Sequence, residues 1–264
     1  MKNNTNKWAL IIGGSSGFGL ATAVKFAKEG FSIYIIHRDR RSKMPEVEKT
    51  FHEISLISPS FKSINVNAVT EEGMEKAIND ISKVCGEKSI STCMFSVADG
   101  NIRQLIGDLD QNSLWQNDLQ HTIWSMGASF AIWVKKLMAA MLFADGASVT
   151  SITSEGVEKV LDEYAAVGSA KAVLETLSRY MAVELAPKNI RVNVINAGIS
   201  DTPALHVLPN YRELIEKACL RNPSGRLTKP EDVANAIYLL SLPEAAWITG
   251  NVIRVDGGEQ LKSI

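Results

Sequence analysis

The chain has 264 residues, 45% of them hydrophobic, with 28 Lys+Arg against 29 Asp+Glu for a formal net charge of -1. That length and apolar content suit one large α/β domain with a sizeable core, or at most two small ones, and the neutral balance gives no electrostatic case for a nucleic-acid partner. Cys85, Cys93 and Cys219 are odd in number and contain no CxxC pair, which argues against a disulfide framework or a zinc site and for thiols in a reducing compartment; no metal is expected.

The opening MKNNTNK runs straight into the strand-like WALII, too short an apolar run for a signal peptide. Predicted strands at 9–12, 32–36, 63–66, 92–96, 148–152, 191–195 and 252–255 alternate with helical patterns at 18–29, 71–84, 114–143, 163–186 and 231–240. The longest apolar region, 123–143, is interrupted by Lys135 and Lys136. It therefore reads as a core helix rather than a membrane span, and a cytoplasmic protein with no membrane partner is expected. Pro230 followed by Glu231 and Asp232 marks a helix start with acidic residues in the first turn, where the helix dipole favours them. The alternation predicts a doubly wound parallel sheet of Rossmann type, flanked by helices on both faces, as a single α/β domain over residues 1–264.

The first predicted strand is followed by Gly13-Gly14-Ser15-Ser16-Gly17-Phe18-Gly19 and then by an apolar-periodic helix. Glycines at this spacing permit a tight turn and close approach of backbone to a pyrophosphate, and the helix N-terminus offers free N–H groups to the anion. A strand before the loop and a helix after it are the context a dinucleotide site requires. Gly13, Ser15, Ser16, Gly17, Phe18 and Gly19 are the predicted phosphate-binding residues.

This loop and the motifs that follow resemble the short-chain dehydrogenase/reductase superfamily over essentially the whole chain. The resemblance locates the residue that selects the cofactor at His37, which is not acidic, followed by Arg38 and Arg40. Guanidinium groups suit a 2′-phosphate, so NADPH is the expected cofactor; the other reading is a solvated basic loop containing Asp39. The acidic residue that the family has near the adenine is replaced by Ala68.

The 163–186 pattern carries Tyr164 and Lys171. Carbonyl-reducing members of the superfamily use Tyr-x-x-x-Lys, but the residue four before Lys171 is Val167, which has no proton to give. Tyr164 forms Tyr-x6-Lys instead. Seven residues at about 100° each return to nearly the same helix face, with the tyrosine displaced by roughly 4.5 Å along the axis. Hydride addition to an enoyl thioester occurs two carbons from the carbon bearing the oxygen, so the donor to that oxygen must stand further from the nicotinamide. The spacing resembles the NADPH-dependent enoyl-[acyl-carrier-protein] reductase branch. Ser96-Val97-Ala98 also resembles that branch, standing where carbonyl reducers have Asn-Asn-Ala-Gly. The stretch His121 to Ser125 lacks the carbonyl reducers' asparagine; His121 is given no chemistry. Ser154 could bond a substrate carbonyl or only backbone at a strand end.

Further along, Asn196 to Thr202 resembles the family's nicotinamide loop, implying roles for Gly198, for Ser200 at the carboxamide and for Thr202 at phosphate. Residues 202–226 are expected to form a substrate lid, with Leu205, Val207, Leu208 and Tyr211 available to an acyl chain. Asp256-Gly257-Gly258 resembles the terminal-strand motif at the family's oligomer interface, which implies a homotetramer. The expected activity is NADPH-dependent reduction of the C2=C3 bond of an acyl thioester carried on acyl carrier protein, with Tyr164, Lys171 and Ser154 catalytic. A 3-oxoacyl or other carbonyl reductase and a non-catalytic nucleotide-binding regulator remain the alternatives.

Overall fold

A computed structural model describes residues 7–107 and 113–262. In chain order the elements are β1 (Trp8–Ile12), α1 (Gly17–Lys28), β2 (Ser32–His37), α2 (Met44–Ile57), β3 (Phe61–Asn65), α3 (Glu71–Val84) and β4 (Ile90–Phe95). Then follow α4 (Gln116–Ile123), α5 (Ser129–Ala139), β5 (Phe143–Thr153), α6 (Ala165–Leu185), β6 (Arg191–Ala197), α7 (Tyr211–Arg221), α8 (Pro230–Ser241) and β7 (Val252–Val255). The seven strands form one parallel sheet in the order β3-β2-β1-β4-β5-β6-β7.

The strand sequences explain why helices must cover both faces. WALII and SIYIIH are buried along their whole length, as parallel strands between two helical layers are. Side chains alternate across a strand with a period of two. Leu10, Ile12, Tyr34 and Ile36 meet Met74 and Ile81 of α3, Phe130 and Trp133 of α5, and Leu174 of α6. Ala9, Ile11, Ile33 and Ile35 face the other way, onto Phe26 of α1, Phe51 and Ile54 of α2, and Val233 and Ile237 of α8. Each fully buried Leu, Ile or Phe of these layers contributes about 1.5–3 kcal/mol. Among the described residues, no helix is long and apolar enough to cross a membrane.

The doubly wound sheet is the one expected; several boundaries differ. The helix expected over 114–143 is two helices joined by a π-helical turn at Trp124–Ala128. Gly127 sits in that turn against α6, where a Cβ would lie 2.6 Å from the Ala170 carbonyl oxygen. The second helix stops early because Met141 turns left-handed, at φ 55°. β5 then begins at Phe143, well before the expected 148. Helix α2 was not anticipated, although Val47, Phe51 and Ile54 at helical spacing carry its buried face. Helix α7 lies inside the expected lid; among its residues only Ala218 is buried, so little periodicity marked it.

Register levels the strand ends that matter. Ile12 pairs with Ile36 on one side and Phe95 on the other. Gly13, His37 and Ser96 consequently leave the sheet side by side. Strand order reverses between β1 and β4, and a crevice opens at such a switch point.

Candidate active site

A cavity of about 380 Å³ occupies this crevice. Its nucleotide end is built by backbone. Gly13 has φ +90° and Gly17 φ +53°, conformations that cost L-residues about 1–2 kcal/mol. Gly13 also has no room for a side chain, since its Cβ would lie 2.6 Å from the Ser96 carbonyl oxygen. Gly19 lies under the loop, where a Cβ would come within 2.0 Å of the Gly13 oxygen. Ser16 occupies the N-cap of α1 without a side-chain cap bond, and the first turn carries no acidic residue. The amides of that turn are left for an anion. Ser15, Ser16, Gly17 and Phe18 line the cavity, with Thr202 facing them; the Thr202 methyl would be 3.6 Å from a Cβ on Gly17.

His37, Arg38 and Asp39 line the same cavity, whereas exposed Arg40 stands at the start of the 3-10 turn Arg41–Lys43, off the wall. His37 Nδ1 is 2.8 Å from Asp39 Oδ2. Arg38 pairs with Asp99 at 3.1 Å, and the other oxygen of Asp99 is 3.6 Å from His121 Nε2. Ala68 and Val69 form the wall where the family has an acid. Their carbonyls are held at 2.7 Å by the indole N–H groups of Trp133 and Trp124 respectively. No sign of these two contacts stands in the sequence, since nothing local pairs either tryptophan with a loop more than fifty positions earlier.

Ser96, Val97 and Ala98 line the middle of the cavity, opposite Gly198 and Ser200. At the far end, Ser154 follows β5 and Tyr164 precedes α6. The Ser154 and Tyr164 hydroxyl oxygens are 3.2 Å apart. Tyr164 holds the N-cap position, immediately after Glu163 at φ 58°, so the helix begins one residue beyond it. Lys171, two turns into α6, shares the cavity wall. Val167 is 2% exposed and packs with Met126 and Ala170, so the position four before the lysine offers no hydroxyl.

Gly156 and Gly168 are parts of this wall that sequence reasoning left unassigned. A Cβ on Gly156 would be 2.5 Å from the Tyr164 ring, and one on Gly168 would be 2.6 Å from the Gly156 oxygen. The pair lets the turn Glu155–Val157 close onto α6 and brings Ser154 to the phenol. Burial raises the Tyr164 pKa; the Ser154 hydrogen bond opposes this and Glu155 adds to it. Tyr164 is thus a protonated donor at neutral pH. Lys171 is 7% exposed, and burial pulls its pKa down to about 8. Its ammonium has no hydrogen-bond or ion-pair partner among the described residues.

Of the expected lid residues, Leu205 and Leu208 line the cavity, joined by Leu214. Val207 is exposed, and Tyr211 stacks near His206 and Arg212 instead. Asp256 caps the turn after β7, accepting from the Gly258 and Gln260 amides at 2.9 and 3.0 Å. That turn carries Glu259 and Gln260 onto the cavity wall, a contribution the interface motif did not suggest.

A parallel sheet with a glycine cradle at its switch point and a Ser–Tyr–Lys wall beyond it defines an oxidoreductase of the short-chain dehydrogenase/reductase class. The family described as Enoyl-(Acyl carrier protein) reductase matches residues 13–260, and the chain belongs to that family. It is similar to the enoyl-[acyl-carrier-protein] reductase [NADPH] FabI of Staphylococcus aureus, with 28% identity over 98% of both chains. It is also similar to carbonyl reductase family member 4 of Danio rerio, at 30% identity over 97% of this chain and 99% of that protein. A third relative is the 1-cyclohexenylcarbonyl-CoA reductase of Streptomyces collinus, at 26% identity over 95% of this chain and 85% of that protein. In fold it matches the enoyl-[acyl-carrier-protein] reductase (NADH) of Aquifex aeolicus, with a TM-score of 0.83 and 24% identity over 98% of each chain.

Proposed function

We propose that this protein reduces the C2=C3 bond of an enoyl thioester with NADPH, the acyl group being carried on acyl carrier protein. The observation that carries the reading is the Tyr164 register: the hydroxyl that faces the cavity stands at the start of α6, while Val167 is sealed in the core. The cradle fits a dinucleotide, because a Cβ at Gly17 would project across it to within 3.6 Å of Thr202 and because the Lys171 ammonium faces the cavity unpaired among the described residues. Gly13 to Phe18, with Thr202, would hold the phosphates; Lys171 would hold the ribose hydroxyls; Ser96, Val97, Ala98, Gly198 and Ser200 would enclose the nicotinamide end. When bound, the reduced nicotinamide supplies hydride to C3. Tyr164 donates a hydrogen bond to the thioester oxygen as it gains negative charge, stabilising the enolate, and a proton taken up at C2 from solvent completes the saturated thioester. Ser154 holds that phenol in place. Lys171 adds positive charge nearby, which favours the oxyanion.

The cofactor choice rests on Arg38, whose guanidinium is on the wall and can take a 2′-phosphate. Its pairing with Asp99 would have to be shared with that phosphate. Residues 202–226 serve as the substrate lid in this reading, with Leu205, Leu208 and Leu214 against the acyl chain.

One observation favours a second reading, reduction of a carbonyl. Ser154 and Tyr164 are close enough to converge on a single oxygen. Side-by-side assays of NADPH oxidation with crotonyl and acetoacetyl thioesters separate the two, and turnover of acetoacetyl alone would promote the second.

A homotetramer is part of the proposal. Tyr180 and Val183 are exposed on the outer face of α6, and Trp247 before β7 is 97% exposed; a closed assembly would cover these apolar side chains. Light scattering at micromolar concentration should give four times the chain mass, and a monomeric mass would contradict it.

A further inference from the structure

Beside the main cavity lies a smaller one of about 230 Å³, between the segment following Ser154 and helix α7. The two cavities share the Tyr164 and Glu155 wall. Under it is a buried ionic cluster that the reaction as described does not use. The Arg221 side chain, at the end of α7, is 18% exposed; those of Glu155 and Glu259 are 6% and 1% exposed. One guanidinium nitrogen bonds Glu155 Oε1 at 2.7 Å and also Glu259 Oε1. Lys159 reaches the second Glu155 oxygen at 3.1 Å, so two cations face two carboxylates.

The cluster's neighbours give it meaning. Glu155 sits between Ser154, which bonds the Tyr164 hydroxyl, and Gly156, on which the Tyr164 ring lies. Glu259 Oε2 accepts the Ile199 amide at 3.1 Å, and Ile199 lies in the loop between Gly198 and Ser200. Asn222, the next residue after α7, donates to the Asp256 carbonyl at 2.8 Å. Burying an acid of this kind has a cost: burial pushes the Glu259 pKa up, and Arg221 only partly opposes it. Buried ion pairs seldom add stability over an apolar equivalent, and their best-attested use is to fix one arrangement.

We propose that Arg221 is a positioning residue for the reduction. Its guanidinium fixes together the Glu155 segment behind Ser154 and Tyr164, the Glu259 turn that holds the nicotinamide loop, and the substrate helix α7. The inference rests on Tyr164 being the oxyanion donor.

The test compares Arg221→Gln, Arg221→Lys and the double variant Arg221→Gln with Glu259→Gln against wild type. It measures kcat and KM for crotonyl thioester, NADPH binding stoichiometry and affinity by fluorescence, and amide exchange across residues 211–221. In Arg221→Gln, kcat should fall about tenfold to a hundredfold, the scale of an ångström-sized misplacement. One NADPH should still bind per chain, and α7 amides should exchange faster. Arg221→Lys keeps the charge and should fold and retain most of kcat. The double variant should recover part of the loss. Its second carboxylate is no longer left unpaired, and the carboxamide oxygen that replaces it can still accept the Ile199 amide; such non-additivity marks a coupled cluster. Unchanged kcat in Arg221→Gln would overturn the proposal. So would a fall in kcat matched by an equal fall in NADPH stoichiometry, which is the signature of lost folding alone, or a double variant worse than the single. If Tyr164→Phe leaves kcat intact, or acetoacetyl replaces crotonyl as the wild-type substrate, the functional reading fails independently of the Arg221 series.

Discussion

The two ends of the cavity are built in opposite ways. At the nucleotide end one contiguous stretch, residues 13–19, does most of the shaping through backbone conformation and the absence of side chains. At the substrate end Ser154, Tyr164, Ile199, Arg221 and Glu259 come from separate segments, and side-chain bonds and ion pairs hold them together. The first arrangement fails if an atom is added. The second fails if one is removed or recharged. The nucleotide end should therefore tolerate almost no substitution at its glycines, and the substrate end should respond in a graded, coupled way.

The largest effect belongs to the cradle. Gly13→Ala meets both a left-handed backbone and the Ser96 oxygen at 2.6 Å. It should lower stability by roughly 2–4 kcal/mol and abolish dinucleotide binding. Thermal melts with and without NADPH check this: the variant should lose the cofactor-induced rise in Tm. Tyr164→Phe comes next. It should reduce kcat for enoyl thioester by about 10²–10³ and leave the NADPH dissociation constant nearly unchanged in titration. Equal losses in binding and rate would erase the contrast between the two ends.

Lys171 joins the two ends, and pH reads its role. Burial lowers its pKa to about 8, so the free protein holds the charge below that value and loses it as pH rises through it. NADPH affinity should fall several-fold, about three- to tenfold, between about pH 7 and pH 9.5, and Lys171→Met should bind weakly with little pH dependence. Two further effects concern the cofactor's adenosine, and the one at Arg40 is the smallest. Arg38→Ala should cut the NADPH-to-NADH ratio of kcat/KM by about tenfold or more. Arg40→Ala, off the wall, should change that ratio by less than about twofold. Equal effects of the two would mean that the basic loop acts only as diffuse charge.

The same contrast governs what could be read in advance. The glycine loop was legible because its requirement is local: strand, tight turn, helix start. The doubly wound parallel sheet followed from the apolar runs and their alternation with helices; the order of its strands came only with the structure. Tyr164 and Lys171 were legible because one helix fixes their spacing, and Val167 was informative by lacking a hydroxyl. Glu155, Arg221 and Glu259 were not, since nothing short-range relates segments so far apart in the chain. The break at Trp124–Ala128 was hidden for a similar reason. Gly127 in that turn lies against the Ala170 carbonyl, a contact between two helices rather than a property of either. Of the residues expected in the lid, Leu205 and Leu208 line the cavity, but the 3-10 turn Leu205–Val207 sends Val207 outward.

In the proposed reaction a donor at Tyr164, one turn short of the carbonyl reducers' position, serves carbon–carbon rather than carbonyl reduction. The most direct test is steady-state NADPH oxidation by the wild-type protein with crotonyl and acetoacetyl thioesters of the same carrier, with the product identified by mass. Crotonyl should be converted to butyryl thioester at a kcat/KM at least about a hundredfold above that for acetoacetyl, the difference one well-placed oxyanion donor makes. Formation of 3-hydroxybutyryl thioester from acetoacetyl, with crotonyl left unreduced, would contradict it.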